Sequence, residues 1–207
     1  SNTSKIKTHL DNNSINYEDL TEKTDLIAVQ GKGAISIIEE LMSVPNKFST
    51  SKKLNYIYAR TGYTGEDGIE IMLEQKDTIN FIHQLETRGV KPCGLGSRDT
   101  LRLEASLPLY GFELSDNISP VEAGLKWTLS NNDDYLGKNF IDEQLESKEH
   151  KYLKKFKLNA KQIARTDTSC IAGSVPGVVT SGNISPVLGY PIGFALFETN
   201  PADNLVE

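Results

Sequence analysis

A carboxylate, a guanidinium and an indole are the side chains whose placement could do chemistry in this sequence: Glu70, Arg98 and Trp127. Glu70 falls in Ile69-Glu70-Ile71-Met72-Leu73-Glu74, whose alternation predicts a strand with Ile69, Ile71 and Leu73 on its core face. On the opposite face Glu70 is either a solvated surface carboxylate or, if that face is covered, a group that must find donors. A ring with adjacent N–H and NH₂ groups would satisfy both of its oxygens. Arg98 follows Gly94-Leu95-Gly96-Ser97 at the start of a predicted helix, where an exposed cation opposes the macrodipole at a cost of about 0.3–1 kcal/mol. It is either a surface cation paired with Asp99 or, with the first-turn amides, part of an anion site. Trp127, the one tryptophan, is either core packing or the wall for a planar ligand.

Other chemistries find less support. His9, His83 and His150 lie in separate segments without metal-ligand spacing, so no zinc site is expected. Cys93 and Cys170 form no CxxC pair, and reduced thiols are the default. No serine or cysteine sits in a nucleophile elbow. The glycines from Gly62 to Gly68 lack the Lys-Ser/Thr of a phosphate loop and lead into a strand, so turn chemistry explains them equally well. The net charge of -6 argues against a nucleic-acid binder, and an anionic ligand would need a local basic pocket. No apolar run reaches the roughly 20 residues of a membrane span, and none reads as a signal peptide.

These candidates must be positioned by a chain of 207 residues, enough for one domain or two small ones and for a core without disulfides or metals. The pattern predicts a short helix from Ser4 to Leu10, a strand at Leu26–Val29, a turn at Gly31–Gly33 and a helix from about Ala34 to Ser43. A hairpin follows, Leu54–Arg60 with Ile69–Glu74, in which Asp67-Gly68 is expected to supply the positive φ of the turn. Asp77 is expected to cap a helix carrying Ile79, Ile82 and Leu85, and Ser97 to cap the helix of Arg98. Leu125–Leu129 reads as a strand, and Asn131-Asn132-Asp133-Asp134 as the boundary between domains 1–130 and 131–207. Beyond it come a charged helix from Lys138 to about Glu149 and strands at Tyr152–Leu158, Val178–Thr180 and Ile192–Phe197.

Taken in order, four segments resemble the aminomethyltransferase family, the T-protein of the glycine cleavage system. They are Arg60-Thr61-Gly62-Tyr63-Thr64-Gly65-Glu66-Asp67-Gly68-Ile69-Glu70-Ile71, the stretch Gly94-Leu95-Gly96-Ser97-Arg98-Asp99-Thr100-Leu101-Arg102-Leu103-Glu104-Ala105 with Leu107–Gly111, the stretch Pro120–Thr128, and Val179–Pro186. The resemblance implies an α+β protein, with ferredoxin-like folate-binding layers followed by a small C-terminal β-barrel. It implies tetrahydrofolate as cofactor and the lipoylated H-protein as partner, whose aminomethyl group passes to tetrahydrofolate with release of ammonia. Carried over, Glu70 would hold the pterin amide edge, Arg98 would face the negatively charged folate, and Tyr63 and Trp127 would line its pocket. The family's catalytic aspartate would lie upstream of residue 1, so no catalytic residue is expected within the chain. On this reading the chain, opening at Ser1-Asn2-Thr3 and stopping at Leu205-Val206-Glu207, is shortened at both ends, and the barrel is shorter by a hairpin near Pro176–Val178. The same residues fit a folate-binding homologue without turnover, or a folate-dependent demethylase relative that shares the acceptor. The compartment expected is the cytoplasm, or the mitochondrial matrix if a transit peptide is missing.

Overall fold

The computed structural model describes residues 2–53, 56–130, 132–159 and 161–201. Leu54 and Asn55 of the expected hairpin, Asn131 of the expected boundary, Ser1 and Leu205–Glu207 lie outside the described residues. Packing divides the chain into two compact units, Ser1–Gly62 with Glu66–Pro92, and Tyr63–Gly65 with Cys93–Glu207.

In the first unit α1 (Thr3–Asn12) precedes β1 (Thr24–Gln30), α2 (Ala34–Glu39), β2 (Thr50–Lys53), β3 (Tyr56–Ala59), β4 (Gly68–Glu74) and α3 (Gln75–Glu86). The four strands form one antiparallel sheet in the order β1-β4-β3-β2. Strand alternation drives it: Ile69, Ile71 and Leu73 are wholly buried, and Ile38, Tyr58, Phe81 and Leu85 complete their cluster. Each such aliphatic side chain contributes about 1.5–3 kcal/mol by leaving water. The helix phase differs from expectation. α3 buries Phe81 and Leu85 and leaves Ile79 76% exposed, and its N-cap is Glu74, with Asp77 in the first turn. The hairpin turn also differs: the positive φ falls on Gly65, at +78°, while Gly68 is already the first residue of β4. A Cβ on Gly68 would stand 2.4 Å from the carbonyl oxygen of Val29, so close strand approach rather than turn geometry requires the glycine.

In the second unit α4 (Leu95–Glu104), a 3-10 turn (Lys126–Thr128) and α5 (Lys138–Ser147) precede β5 (Tyr152–Lys157), β6 (Ser169–Ala172), β7 (Val175–Ile184) and β8 (Pro191–Phe197). The 3-10 turn replaces the strand expected at Leu125–Leu129. These strands form a four-stranded antiparallel sheet in the order β5-β8-β7-β6. It is open, and no sheet among the described residues closes into the expected barrel. Phe156, Val179, Ala195 and Phe197 form its core. α4 lies on this sheet through Leu103 with Ile192 and Phe194, and through polar bonds to its middle and its last residue from Asn183 at the end of β7 and Ser185 just past it. Asn183 donates to Thr100 at 2.9 Å, and the Ser185 hydroxyl donates to Glu104. Among the described residues no helix is long and apolar enough to cross a membrane.

Candidate functional site

Glu70 sits midway along β4, directly opposite Ala28 on β1 and Ala59 on β3. Paired residues share a face, so the carboxylate rises between two methyl groups on the side away from the core. Leu26, Met72 and Ile57 form the next row of that face, with Leu26 67% exposed. Apolar area there therefore surrounds a half-buried acid. One of its oxygens is fixed: Thr61 Oγ1 donates to Oε2 at 2.7 Å. Thr61 is held in turn, because Gln30 Nε2 donates to its carbonyl oxygen at 3.0 Å and to that of Ile69 at 3.3 Å. Gly62 makes room for this brace, since a Cβ there would lie 1.9 Å from Gln30 Oε1. Among the described residues Oε1 of Glu70 accepts no hydrogen bond. Such a carboxylate can take a donor pair from a flat molecule lying on the sheet.

In the second unit a cavity of about 440 Å³ is lined by Tyr63, Arg98, Arg102, Phe112, Arg165 and Ser181, among others. α4 supplies two of these cations one turn apart, on one face. The helix begins at Leu95 with Gly94 as N-cap, so Arg98 is its fourth residue, and the Ser97 hydroxyl donates to the Gly94 carbonyl rather than capping. The Arg98 guanidinium lies 4.9 Å from the centre of the Tyr63 ring, a cation–π contact that leaves its N–H fork available. Tyr63 is fixed by its hydroxyl, which donates to the Pro108 carbonyl at 2.5 Å, and by Gly65, where a Cβ would come within 2.9 Å of Ala105 Cβ. Burial pushes the Tyr63 phenol above its ordinary range, opposed by Arg102 and Arg98 and reinforced by Glu113. The phenol is therefore a neutral donor near neutral pH.

Arg98 and Tyr63 are thus brought together in one cavity. Glu70 belongs to the other packing unit. Trp127 stands 79% exposed in the 3-10 turn and is not one of the residues lining this cavity. Sequence reasoning missed Arg102, Glu113 and Arg165. A signal existed for Arg102, a second arginine four residues after Arg98. None existed for Glu113, which is wholly buried and defined by partners distant in sequence. Among the described residues no cluster of three or more His, Cys, Asp or Glu side chains could hold a metal ion.

The family model described as the GCVT N-terminal domain matches residues 1–133. A protein named aminomethyltransferase from Nostoc sp. is 37% identical over 203 residues, covering 92% of this chain and 54% of the relative. One of the same name from Thermosipho melanesiensis is 41% identical over 194 residues, covering 89% and 53%. The crystal structure of glycine cleavage system aminomethyltransferase T from Bartonella henselae superposes with a TM-score of 0.84 at 25% identity, covering 95% of this chain and 58% of that one. The chain spans about half the length of the curated relatives it matches. With the motifs in order, the family model over most of the chain and a shared fold, this chain belongs to the aminomethyltransferase family of the glycine cleavage T-protein.

Proposed function

We propose that the chain provides the folate-binding part of a tetrahydrofolate-dependent aminomethyltransferase of the glycine cleavage system. In that reaction the aminomethyl group on the lipoyl arm of the H-protein passes to N5 of tetrahydrofolate. The lipoyl sulfur leaves as a thiol, ammonia is released and 5,10-methylenetetrahydrofolate forms. The observation that carries the folate reading is the setting of Glu70, with Oε2 held by Thr61 and its neighbours reduced to Ala28 and Ala59. A pterin amide edge offers a ring N–H and an exocyclic NH₂ on one side, and a carboxylate fixed in a flat apolar surround suits that pair. Arg98 would face the negatively charged end of the folate, with Tyr63 as a wall beside it and Trp127 as a further wall.

In this reading residues 1–130 belong to the folate-binding domain and 131–207 to the C-terminal β-barrel domain. The succession β1, α2, β3, β4, α3 with antiparallel pairing supports a ferredoxin-like layer, β2 being added at its edge. The partner is the lipoylated H-protein, and the compartment is the cytoplasm or the mitochondrial matrix.

Calorimetric titration with tetrahydrofolate tests the reading. Saturable binding is expected, weakened by about 1–3 kcal/mol in Glu70→Ala through loss of a charged acceptor. Unchanged affinity removes Glu70 from the site. A saturable quench of Trp127 fluorescence is expected if the indole is a wall for the ring. Aminomethylated H-protein then separates turnover from binding: formation of methylenetetrahydrofolate supports the transferase, and binding without product makes the chain a folate-binding homologue. Turnover of a methylated amine or sulfur donor instead would make it a demethylase.

A further inference from the structure

We infer that Gln30 is a positioning residue for Glu70: acting through Thr61, its carboxamide fixes the carboxylate in an orientation that leaves Oε1 open to a ligand. The inference rests on the folate reading for the ligand that tests it, and not for the geometry.

Gln30 ends β1 and pairs with Gly68, two residues before Glu70 on β4. Residues two apart on a strand share a face, so Gln30 stands on the face of Glu70, next after Ala28. Its carboxamide lies in a slot between two glycines. A Cβ on Gly62 would lie 1.9 Å from Gln30 Oε1, and one on Gly68 would lie 2.7 Å from its Cδ and 2.8 Å from its Nε2. Glycines at both ends of the loop 62–68 thus make room for the same side chain. The orientation of the amide follows from its partners. Both are carbonyl oxygens, of Thr61 at 3.0 Å and of Ile69 at 3.3 Å, and only the NH₂ group can donate to them.

Those two carbonyls belong to the residues that decide where the carboxylate stands. Ile69 directly precedes Glu70. Thr61 carries the hydroxyl that donates to Glu70 Oε2 at 2.7 Å. The register of β3 on β4 ends at the pair Ala59 and Glu70, so Thr61 lies past the ladder between these strands. Gln30 supplies the tie that the ladder no longer provides. One NH₂ group therefore joins three segments around one acid: β1, the chain just after β3, and β4. A carboxylate ordered in advance receives a donor pair without being ordered at the moment of binding. Supports of this kind hold a binding group to the fraction of an ångström that recognition needs.

The test uses the whole chain, with tetrahydrofolate as the probe. Gln30→Met keeps the length of the side chain without its donors. Thr61→Val removes the hydroxyl at nearly constant shape, and Thr61→Ser keeps it. Without ligand, three-bond couplings about χ1 of Glu70 are expected to report one rotamer in wild type and Thr61→Ser, and an average over rotamers in Gln30→Met and Thr61→Val. In calorimetric titration Thr61→Val is expected to weaken tetrahydrofolate about tenfold and Gln30→Met about threefold, with Thr61→Ser close to wild type. Both losses vanish in a Glu70→Ala background, which a merely structural role of Gln30 would not produce. Should Gln30→Met not fold, Gln30→Ala, which only removes atoms, carries the same expectations. A single Glu70 rotamer in the Gln30 or the Thr61→Val variant overturns the inference, and so does a loss of affinity that persists in Glu70→Ala. If the couplings change as expected but wild type does not bind tetrahydrofolate, the positioning stands and the folate reading falls. If tetrahydrofolate binding depends on Glu70 but on neither Thr61 nor Gln30, the folate reading stands and the positioning falls.

Discussion

Arg102 donates through Nη1 to Glu113 at 2.9 Å in a setting where the two residues are 2% and 0% exposed. Removing two charges from water is costly, and attraction offsets it only when the remaining donors and acceptors are also satisfied. Here they are. Glu113 accepts from Leu109 N, from the Thr180 hydroxyl at 2.6 Å and from the Ser181 hydroxyl at 2.5 Å. Consecutive strand residues ordinarily point to opposite faces, but the register of β7 on β8 shifts between Val179 and Ser181. That bulge lets two neighbouring hydroxyls reach one oxygen.

The pair predicts strong non-additivity. Arg102→Met alone or Glu113→Leu alone strands a buried charge and is expected to cost about 3–5 kcal/mol in urea unfolding. The double replacement costs less than the sum of the two, because neither charge is left behind. Additive losses would show that the two charges do not interact in the folded protein.

Gly182 and Gly96 make opposite predictions for the same substitution. Gly182→Ala drives a methyl into the Ala164 backbone, which cannot swing aside as a side chain does, and is expected to destabilise by about 1–3 kcal/mol. Gly96 lies within α4 with nothing inside 4 Å of a Cβ position. Gly96→Ala is therefore expected to stabilise by about 0.5–1 kcal/mol. Denaturant midpoints of the two variants, measured side by side, check both signs.

What could be read beforehand was what depends on neighbours in sequence. The alternation Ile69, Ile71, Leu73 gave the core face of β4, and with it the side on which Glu70 stands. Lys138–Ser147 formed the charged helix that its composition suggested. Misreadings arose where local pattern met tertiary choice. Leu125, Trp127 and Leu129 alternate like a strand, yet among the described residues that segment gains no strand partner, and it closes as a 3-10 turn. In α3 a stripe through Ile79 was equally regular, but the phase that fits the sheet is that of Phe81 and Leu85. At the candidate site, Arg98 with Tyr63 was legible from motif likeness. Arg165 was not, since its position depends on a glycine of β7 that makes space for Ala164. Glu113 was illegible for the same reason, its partners Thr180 and Ser181 being brought in by the fold.

Tyr63 predicts a loss of stability in base. Burial favours the neutral phenol and raises its titration in the folded protein. The folded state then holds its proton more tightly than the unfolded chain does. The resulting stabilisation is full below the ordinary tyrosine value of about 10 and is lost as pH rises through the folded value. Tyr63→Phe should remove this dependence and cost about 0.5–1.5 kcal/mol at neutral pH, through loss of the bond to Pro108. Ultraviolet difference titration against wild type isolates this phenol from the other tyrosines. A step at or below the ordinary range would contradict the burial argument.

Asp67 predicts the opposite slope in acid. Arg60 donates to it twice, Nη2 to Oδ2 at 2.6 Å and Nε to Oδ1 at 3.1 Å, and Gly68 N adds a third bond at 3.0 Å. The Arg60 guanidinium is the principal cause that holds this carboxyl below the usual carboxylate range. A lowered value in the folded state means that the unfolded chain binds the proton more readily. The stabilisation is therefore complete above the ordinary aspartate value of about 4 and is lost as pH falls through the folded value. With Asp67 40% exposed, solvent and salt screen the pair, so the effect is small and diminishes at high ionic strength. Urea midpoints followed from neutral pH into acid should fall less steeply for Asp67→Asn than for wild type, and the two curves should converge in high salt. Parallel curves at low salt would mean that the Arg60 pair is already formed in the unfolded chain or adds nothing to the fold.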